Sequence, residues 1–113
     1  MPFISFTTNR KLTLQQEKKI KEETGKLITI IPNKTEENLM IHLEDNQIMY
    51  FRGQETKCMM IAVHLFKEAS VESKSKFTEE LTKTVAEIAG IPVENQYVSF
   101  NEYPSWGKNG KLI

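Results

Sequence analysis

The chain begins with a short apolar segment, and apolar positions with a helical spacing follow it. Residues 3–8 are short, apolar and β-prone, and polar residues follow, which predicts a strand. Thr13 and Gln16 have the spacing of a capping box. We therefore expect a helix that begins near Leu14.

The end of this helix has two interpretations. Four apolar residues would share one helical face, which favours a single long helix with Gly25 inside it: Ile20, Leu27, Ile28 and Ile31. In the other interpretation Gly25 ends the helix and residues 27–31 form a strand on their β propensity. Local sequence leaves both open, although we favour the long helix, which Pro32 and Asn33 would stop.

The middle of the chain predicts extended structure. Residues 38–44 alternate between apolar and polar side chains, as in a strand with one buried face. Asp45-Asn46 is a two-residue turn signal, so we expect a hairpin with a further strand over residues 47–51. Residues 58–66 are the most apolar segment and predict a strand buried on both faces.

A second helix, a strand and a turn-rich tail follow. The helix is predicted from four apolar residues on one face: Phe77, Leu81, Val85 and Ile88. Gly90 and Pro92 would close it. Residues 97–101 predict the last strand, and residues 106–110 predict turns.

The order of elements gives two similar strand-helix-strand halves. Such a unit has a right-handed crossover and pairs its two strands in parallel. We therefore expect a single domain over residues 1–113 with an α+β two-layer sandwich: two pseudo-symmetric βαβ units, a four-stranded mixed sheet plus short strands, and two helices on one face. The other face would be bare, and we expect oligomerisation to cover it.

Composition narrows the classes of function. The 15 basic and 15 acidic residues cancel, which argues against binding to nucleic acid or an acidic membrane through net charge. No apolar run approaches the ~20 residues of a transmembrane helix. The first residues lack the basic region of a signal peptide. We expect a cytoplasmic protein, with export without a leader left open.

Redox and metal chemistry are disfavoured. Cys58 is the single cysteine, so it has no resolving thiol for thiol–disulfide exchange and is expected to be a small buried residue. His42 and His64 have no acidic cluster nearby in the sequence and make no convincing metal site. No cofactor is expected.

Pro2 is the candidate catalytic residue. If Met1 is removed, the Pro2 nitrogen becomes a secondary amine on a fixed ring. Beneath apolar neighbours such as Phe3 and Phe6, desolvation would lower its pKa from the value of about 8 that is usual for an α-amino group. A free base at neutral pH suits proton abstraction beside a carbonyl. On position alone, an ordinary terminus is the simpler interpretation.

The chain resembles the tautomerase superfamily and, within it, the macrophage migration inhibitory factor family. The resemblance is carried by short matches in order along nearly the whole chain: Met1-Pro2, Ile41-His42, Gln47 to Phe51 with Gly53, Cys58, His64, Tyr97 and Gly107 to Gly110. It implies a homotrimer whose three sheets form a central barrel, which would cover the bare face.

The resemblance also implies an activity. In this family the N-terminal proline is a base that moves a proton between carbon and oxygen of a keto-enol acid. It therefore implies a phenylpyruvate-type keto-enol tautomerase with Pro2 as general base. It places Lys34, rather than Lys26, where it would pair with the substrate carboxylate and stabilise the enolate. Asn33 takes the place of the family's glycine as a left-handed cap. Without the family, Lys34 reads as a solvated lysine near a helix end.

Further site residues follow from the resemblance. The backbone around Leu65 and Phe66 would line the site and donate an N–H, and Tyr97 would enter from the neighbouring subunit as a wall and hydroxyl donor. Ser99 would also bind substrate, at a position where the family has asparagine. Candidate residues of the rim are Phe3, Asn38, Trp106, Lys108 and Ile113.

Departures from the family bear on substrate. Phe66 is bulkier than the usual isoleucine, Lys108 stands where the cytokine has tryptophan, and Ile113 where it has phenylalanine. The rim is less aromatic and more basic, so a small or more acidic keto acid is expected to suit it better than an aromatic one. The alternative function is a cytokine-like ligand that binds a cell-surface receptor and has a vestigial site.

Overall fold

The structure is a computed structural model that describes all 113 residues. Its helices and strands are, in chain order, β1 (Pro2–Thr8), α1 (Leu14–Leu27), β2 (Met40–Glu44), β3 (Met59–Phe66), α2 (Val71–Ala89), β4 (Gln96–Tyr103), β5 (Gly107–Lys108) and β6 (Lys111–Leu112). Three short 3₁₀ turns accompany them, over Ile28–Ile30, Glu36–Asn38 and Val93–Asn95.

The main sheet has four strands in the order β2-β1-β3-β4. β1 pairs with β2 in parallel, β3 pairs with β4 in parallel, and the two units meet through antiparallel pairing of β1 with β3. Each half is therefore a βαβ unit, and the predicted mixed four-stranded sheet is confirmed. Because β1 is a central strand, the start of the chain lies inside the sheet.

The core lies between the sheet and the two helices. Alternate residues of β1 and β3 are buried, and they pack against buried residues of both helices: Ile4, Phe6, Ile61, Val63, Ile20, Phe77, Leu81 and Val85. The prediction that β3 is buried on both faces is wrong. Its other residues are only half-buried, because they lie on the face that neither helix covers: Met60, Ala62, His64 and Phe66.

The helix ends follow their capping residues. The Gln16 N–H donates to Thr13 Oγ1 at 3.1 Å and the Thr13 N–H donates to Gln16 Oε1 at 2.9 Å, so the predicted capping box is confirmed. α2 ends at Gly90, which has φ of +69° and so adopts the left-handed conformation that glycine favours. Neither α1 nor α2 combines the length and the hydropathy of a membrane-spanning helix.

The long-helix interpretation is right except for its last turn. α1 contains Gly25 and runs to Leu27, and residues 28–30 continue it as a 3₁₀ turn. The strand alternative for residues 27–31 is wrong. Ile28 and Ile31 are both buried, and a 3₁₀ turn places residues three apart on the same side, so core packing outweighs their β propensity.

The predicted hairpin after β2 is wrong, because residues 47–50 form no strand. The Asn46 N–H donates to the Arg10 carbonyl at 2.8 Å, and the Gln47 N–H donates to the Thr8 carbonyl at 3.0 Å. These bonds place residues 46 and 47 beside the end of β1, so the chain does not return along β2.

Two tight turns occur where a pair of residues has positive φ. Asn109 (φ 55°) and Gly110 (φ 74°) join β5 to β6 in the manner of a type I′ turn, so the tail is turn-rich as predicted. Arg52 (φ 57°) and Gly53 (φ 74°) form a similar turn between Phe51 and Gln54, which pair only as an isolated bridge.

Candidate active site

Pro2 begins β1 and is buried. In the sheet register it lies opposite Leu65 of β3, while its neighbour Phe3 lies beside Met40 of β2. The end of the chain is therefore flanked by a strand on each side. Such a position removes solvent from a terminal amine.

The terminal amine of Met1 has a pKa lowered from 8.0 to about 6. Burial is the largest cause, followed by the positive charge and hydrogen bond of Lys34 and then by the charge of Lys108. This end of β1 thus favours a neutral amine. While Met1 is present, the Pro2 nitrogen is part of a peptide bond, so its amine exists only after Met1 is removed.

Lys34 lies close enough to the terminal amine for its charge to act on that amine. Its Nζ donates to the Phe66 carbonyl at 3.3 Å, and the two residues line a cavity of about 360 Å³. Asn33, just before it, has φ of +67° and is left-handed, as predicted. Lys26, by contrast, is exposed and donates to Glu23 Oε2 at 3.2 Å.

A second cavity, of about 330 Å³, includes the N-terminus itself. Its lining comes from β1, the segment before β2 and the tail: Met1, Pro2, Phe3, Glu37, Asn38, Leu39, Met40, Trp106, Gly107 and Lys108. The structure thus brings four of the five candidate rim residues to Pro2. Ile113 does not line the cavity, although its N–H donates to the Trp106 carbonyl at 2.8 Å.

Tyr97 and Ser99 do not reach Pro2 within one chain. Tyr97 lies opposite Met60, five residues along β3 from the partner of Pro2, which corresponds to about 17 Å. Ser99 lies opposite Ala62 on the same open face. These two residues could join this site only from another copy of the chain. The side chain of Leu65 is fully buried in the core, so only its backbone can face a ligand.

An aromatic row lies beside the site and includes Tyr103, which the sequence does not indicate. His64 Nδ1 and the Tyr103 hydroxyl are hydrogen-bonded at 2.8 Å, and Phe3 stacks on His64 with ring centroids 5.4 Å apart. Trp106 packs against Tyr103 at 5.9 Å. Glu102 breaks the apolar alternation of Val98 and Phe100, so no local pattern extends the predicted strand beyond Asn101.

The loop after β3, which frames the cavity of Lys34, is held in place by β4. The Lys67 N–H donates to the Tyr103 carbonyl at 2.8 Å, and the Glu102 carboxylate accepts from the Ala69 N–H at 2.7 Å and from Lys74 Nζ at 2.9 Å. The Ala69 N–H and then Lys74 hold the pKa of Glu102 below its usual value.

The remaining candidates for chemistry are the single cysteine, possible metal ligands and a further cavity, and they lie away from Pro2 or are buried. Burial raises the pKa of the Cys58 thiol, which is only 4% exposed. No group of three or more His, Cys, Asp and Glu side chains is placed to hold a metal ion. A cavity of about 650 Å³ lies on the helices and is lined mostly by polar residues, among them Thr13 and Lys19, with Ile88 as its hydrophobic member. It contains none of the candidate site residues.

Comparison with known proteins agrees with this fold. The family model described as "Tautomerase enzyme" matches residues 60–112, which is just under half of the chain. A comparison with curated proteins found no match.

Solved structures share the fold over the whole chain. The crystal structure of Leishmania major MIF2 matches with a TM-score of 0.93 at 21% identity, covering 100% of this chain and 97% of that one. The macrophage migration inhibitory factor-like protein of Entamoeba histolytica matches with a TM-score of 0.87 at 19% identity, covering 99% and 98%. Pt0534 inactivated by 2-oxo-3-pentynoate matches with a TM-score of 0.86 at 19% identity, covering 96% and 92%.

These findings confirm the resemblance to the tautomerase superfamily. The second half of the chain carries the family match, and the full chain has the fold of structures named as macrophage migration inhibitory factors.

Proposed function

We propose that this protein is a keto-enol tautomerase of the phenylpyruvate type in which Pro2, freed by removal of Met1, is the general base. The observation that carries the proposal is the pKa of the Met1 amine, which is lowered to about 6 at this end of β1, beside Lys34 and a cavity. An amine with that pKa is mostly unprotonated at pH 7 and can accept a proton.

The surroundings of Met1 support the same property for Pro2. Removal of Met1 moves the amine by one residue, about 3.8 Å, toward a position that is more buried. Desolvation there would lower the pKa further, and Lys34 and Lys108 would still repel a positive charge.

The proposed reaction is a proton transfer. The Pro2 nitrogen takes a proton from the carbon beside the ketone, the C–H electron pair becomes the C=C bond, and the carbonyl pair moves onto oxygen. Lys34 pairs with the substrate carboxylate and stabilises the developing negative charge. The proton held by Pro2 then goes to the oxygen, giving the enol, and the reverse sequence regenerates the ketone. The inactivation of Pt0534 by 2-oxo-3-pentynoate supports a pocket for a 2-oxo acid in this fold.

The test is intact mass combined with tautomerisation of phenylpyruvate. We expect the protein without Met1 to turn over the substrate and a preparation that retains Met1 to be inactive, because an amide nitrogen is not a base. A processed protein with no turnover of several keto acids would contradict the proposal and favour the receptor-ligand alternative.

We also propose that the protein is a homotrimer. The open sheet face and the segment after β2 expose large apolar side chains, with exposed fractions of 67% for Met40, 87% for Ile48, 68% for Tyr50 and 63% for Tyr97. Such surface is typical of a protein interface. A second copy would cover it and could bring Tyr97 to the Pro2 site.

Light scattering at micromolar concentration tests the assembly. We expect a mass three times that of the 13.1 kDa chain. Tyr97→Asp places a charge on the exposed face and should shift the measured mass toward that of the monomer. Tyr103→Asp places a charge at the other end of β4 and tests whether that end also belongs to the interface. A monomeric wild-type protein would contradict this proposal.

A further inference from the structure

The peptide group between Phe66 and Lys67 joins the candidate site to β4. Its carbonyl accepts a hydrogen bond from Lys34 Nζ at 3.3 Å, and its N–H donates to the Tyr103 carbonyl at 2.8 Å. Because this peptide group is planar and trans, its N–H and its carbonyl point in opposite directions. A single orientation therefore satisfies both bonds, and that orientation sets the position of the acceptor for Lys34.

The loop after this peptide group needs contacts from outside to keep its conformation. Lys67 has φ of +67°, in the left-handed region that is uncommon for residues other than glycine. Such a conformation persists where the surrounding structure holds it. The holding contact further along the loop comes from Glu102 of β4, whose carboxylate accepts from the Ala69 N–H at 2.7 Å and from Lys74 Nζ at 2.9 Å.

The burial and charge of Glu102 make this contact strong. The side chains of Glu102 and Lys74 are only 17% and 20% exposed, so water competes little for their bonds. The Ala69 N–H and then Lys74 hold the pKa of Glu102 below its usual value, so the carboxylate is charged at neutral pH. A charged acceptor makes a hydrogen bond about twice as strong as a neutral one.

We infer that Glu102 is a positioning residue of the candidate site, because it holds the loop that carries the acceptor of Lys34. Phe66 and residues 67–70 line the cavity of Lys34, whereas Glu102 lines neither that cavity nor the one at the N-terminus. Glu102 therefore acts through Lys34 and not by touching a ligand. This inference rests on the proposed function, since Lys34 is the residue that would bind the substrate carboxylate and stabilise the enolate.

The direction of a pKa change distinguishes positioning from a direct effect of charge. A carboxylate favours the protonated form of an amine, so removal of the charge of Glu102 would by itself lower the pKa of the terminal amine. If Glu102 holds Lys34, its removal allows the Lys34 ammonium to move toward solvent. Its repulsion of the terminal amine then weakens, and the pKa of that amine rises. The other charged residues of the two cavities stay the same in the Glu102 variants: Lys108, Glu37, Lys67 and Glu68.

The test compares Glu102→Met with Glu94→Met, which removes an exposed carboxylate just before β4. Glu102→Met keeps the length of the side chain and removes both of its hydrogen bonds. We expect it to lower kcat/KM for phenylpyruvate tautomerisation by about tenfold and to shift the acid side of the pH–rate profile to higher pH. Glu94→Met should leave both at their wild-type values.

A double variant shows whether the effect passes through Lys34. In protein that carries Lys34→Met, the addition of Glu102→Met should not shift the acid side of the profile further and should change kcat/KM by less than about twofold. A full effect of Glu102→Met in that background would overturn the inference and leave the tautomerase proposal intact. The same holds if Glu102→Met alone leaves the acid side in place or moves it to lower pH.

Two further variants keep the inference testable if Glu102→Met does not fold. Glu102→Gln and Lys74→Met both break the ion pair, but only Glu102→Gln replaces the charged acceptor of the Ala69 N–H. We expect Glu102→Gln to shift the acid side to higher pH, by less than Glu102→Met, and Lys74→Met to leave it in place. Equal behaviour of these two variants would overturn the inference.

A titration of the terminal amine separates failure of the inference from failure of the proposed function. The NMR shifts of the carbon atoms bonded to that nitrogen report its pKa without any turnover. If the wild-type protein turns over no keto acid but Glu102→Met raises the pKa of the amine only when Lys34 is present, the tautomerase proposal fails and the positioning role stands. If the pKa of the amine does not respond to Glu102→Met, the inference is overturned.

Discussion

Pro2→Gly is expected to lower kcat/KM for keto-enol tautomerisation by about 10²-fold or more while the protein stays folded. Glycine supplies a primary amine in place of the secondary amine, and the amine is no longer held in one direction by a ring. A general base contributes through both its pKa and its orientation, so both losses reduce the rate. The measurement is steady-state tautomerisation by protein whose intact mass shows that Met1 is absent.

Pro104→Gly is the control for this substitution. Pro104 follows β4 in an exposed loop and does not line the cavity around the N-terminus. It removes a proline ring from the chain without touching the amine, and we expect activity within about twofold of wild type. Thermal unfolding of both variants shows whether either loses the fold. Pro2→Gly with near wild-type activity and a wild-type melting temperature would show that the reaction does not need the proline ring, which would contradict the expected role of the secondary amine.

The four-stranded sheet could be predicted from the sequence because the patterns that indicate its strands and helices are local. Each strand-helix-strand half is visible in its own periodicity, and the parallel pairing follows from the crossover rule. The prediction of a strand over residues 47–51 is wrong because this segment is positioned by contacts that are distant in sequence. The hydrogen bonds from Asn46 to Arg10 and from Gln47 to Thr8 join segments far apart in the chain, so no local pattern predicts them.

The candidate site was only partly accessible to sequence reasoning. Pro2 follows from its position, and Lys34 from the family resemblance, since its charge alone would indicate a surface lysine. Lys108 was anticipated only as a residue of the rim. Its half-buried position without an ion pair depends on how the tail folds back onto the start of the chain, and Tyr103 was missed because the end of β4 is set by its pairing with Phe66.

Lys34→Met is expected to produce two separable effects on the reaction. The first is a loss of about 10²-fold in kcat/KM, because the variant loses the cation that would pair with the substrate carboxylate and stabilise the enolate. The second is a shift of the pH dependence. Lys34 lowers the pKa of the terminal amine, second only to burial, so its removal raises that pKa.

The sign of the pH effect follows from the role of the amine as a base. The Met1 amine has a pKa of about 6, and greater burial is expected to place the pKa of the Pro2 amine lower. The neutral form of the Pro2 amine is lost as pH falls through its pKa, so wild-type kcat/KM should fall on the acid side of that pKa, which is the acid limb of the pH profile. In Lys34→Met the same acid limb should lie at higher pH. Lys34→Arg keeps the charge and should hold the limb near its wild-type position, even if its longer side chain restores the rate incompletely. Lys26→Met removes a lysine that is exposed and paired with Glu23, and should change neither the rate nor the limb. If Lys34→Met lowered the rate but left the acid limb in place, Lys34 would act on the substrate alone, and the low pKa of the amine would have to come from burial.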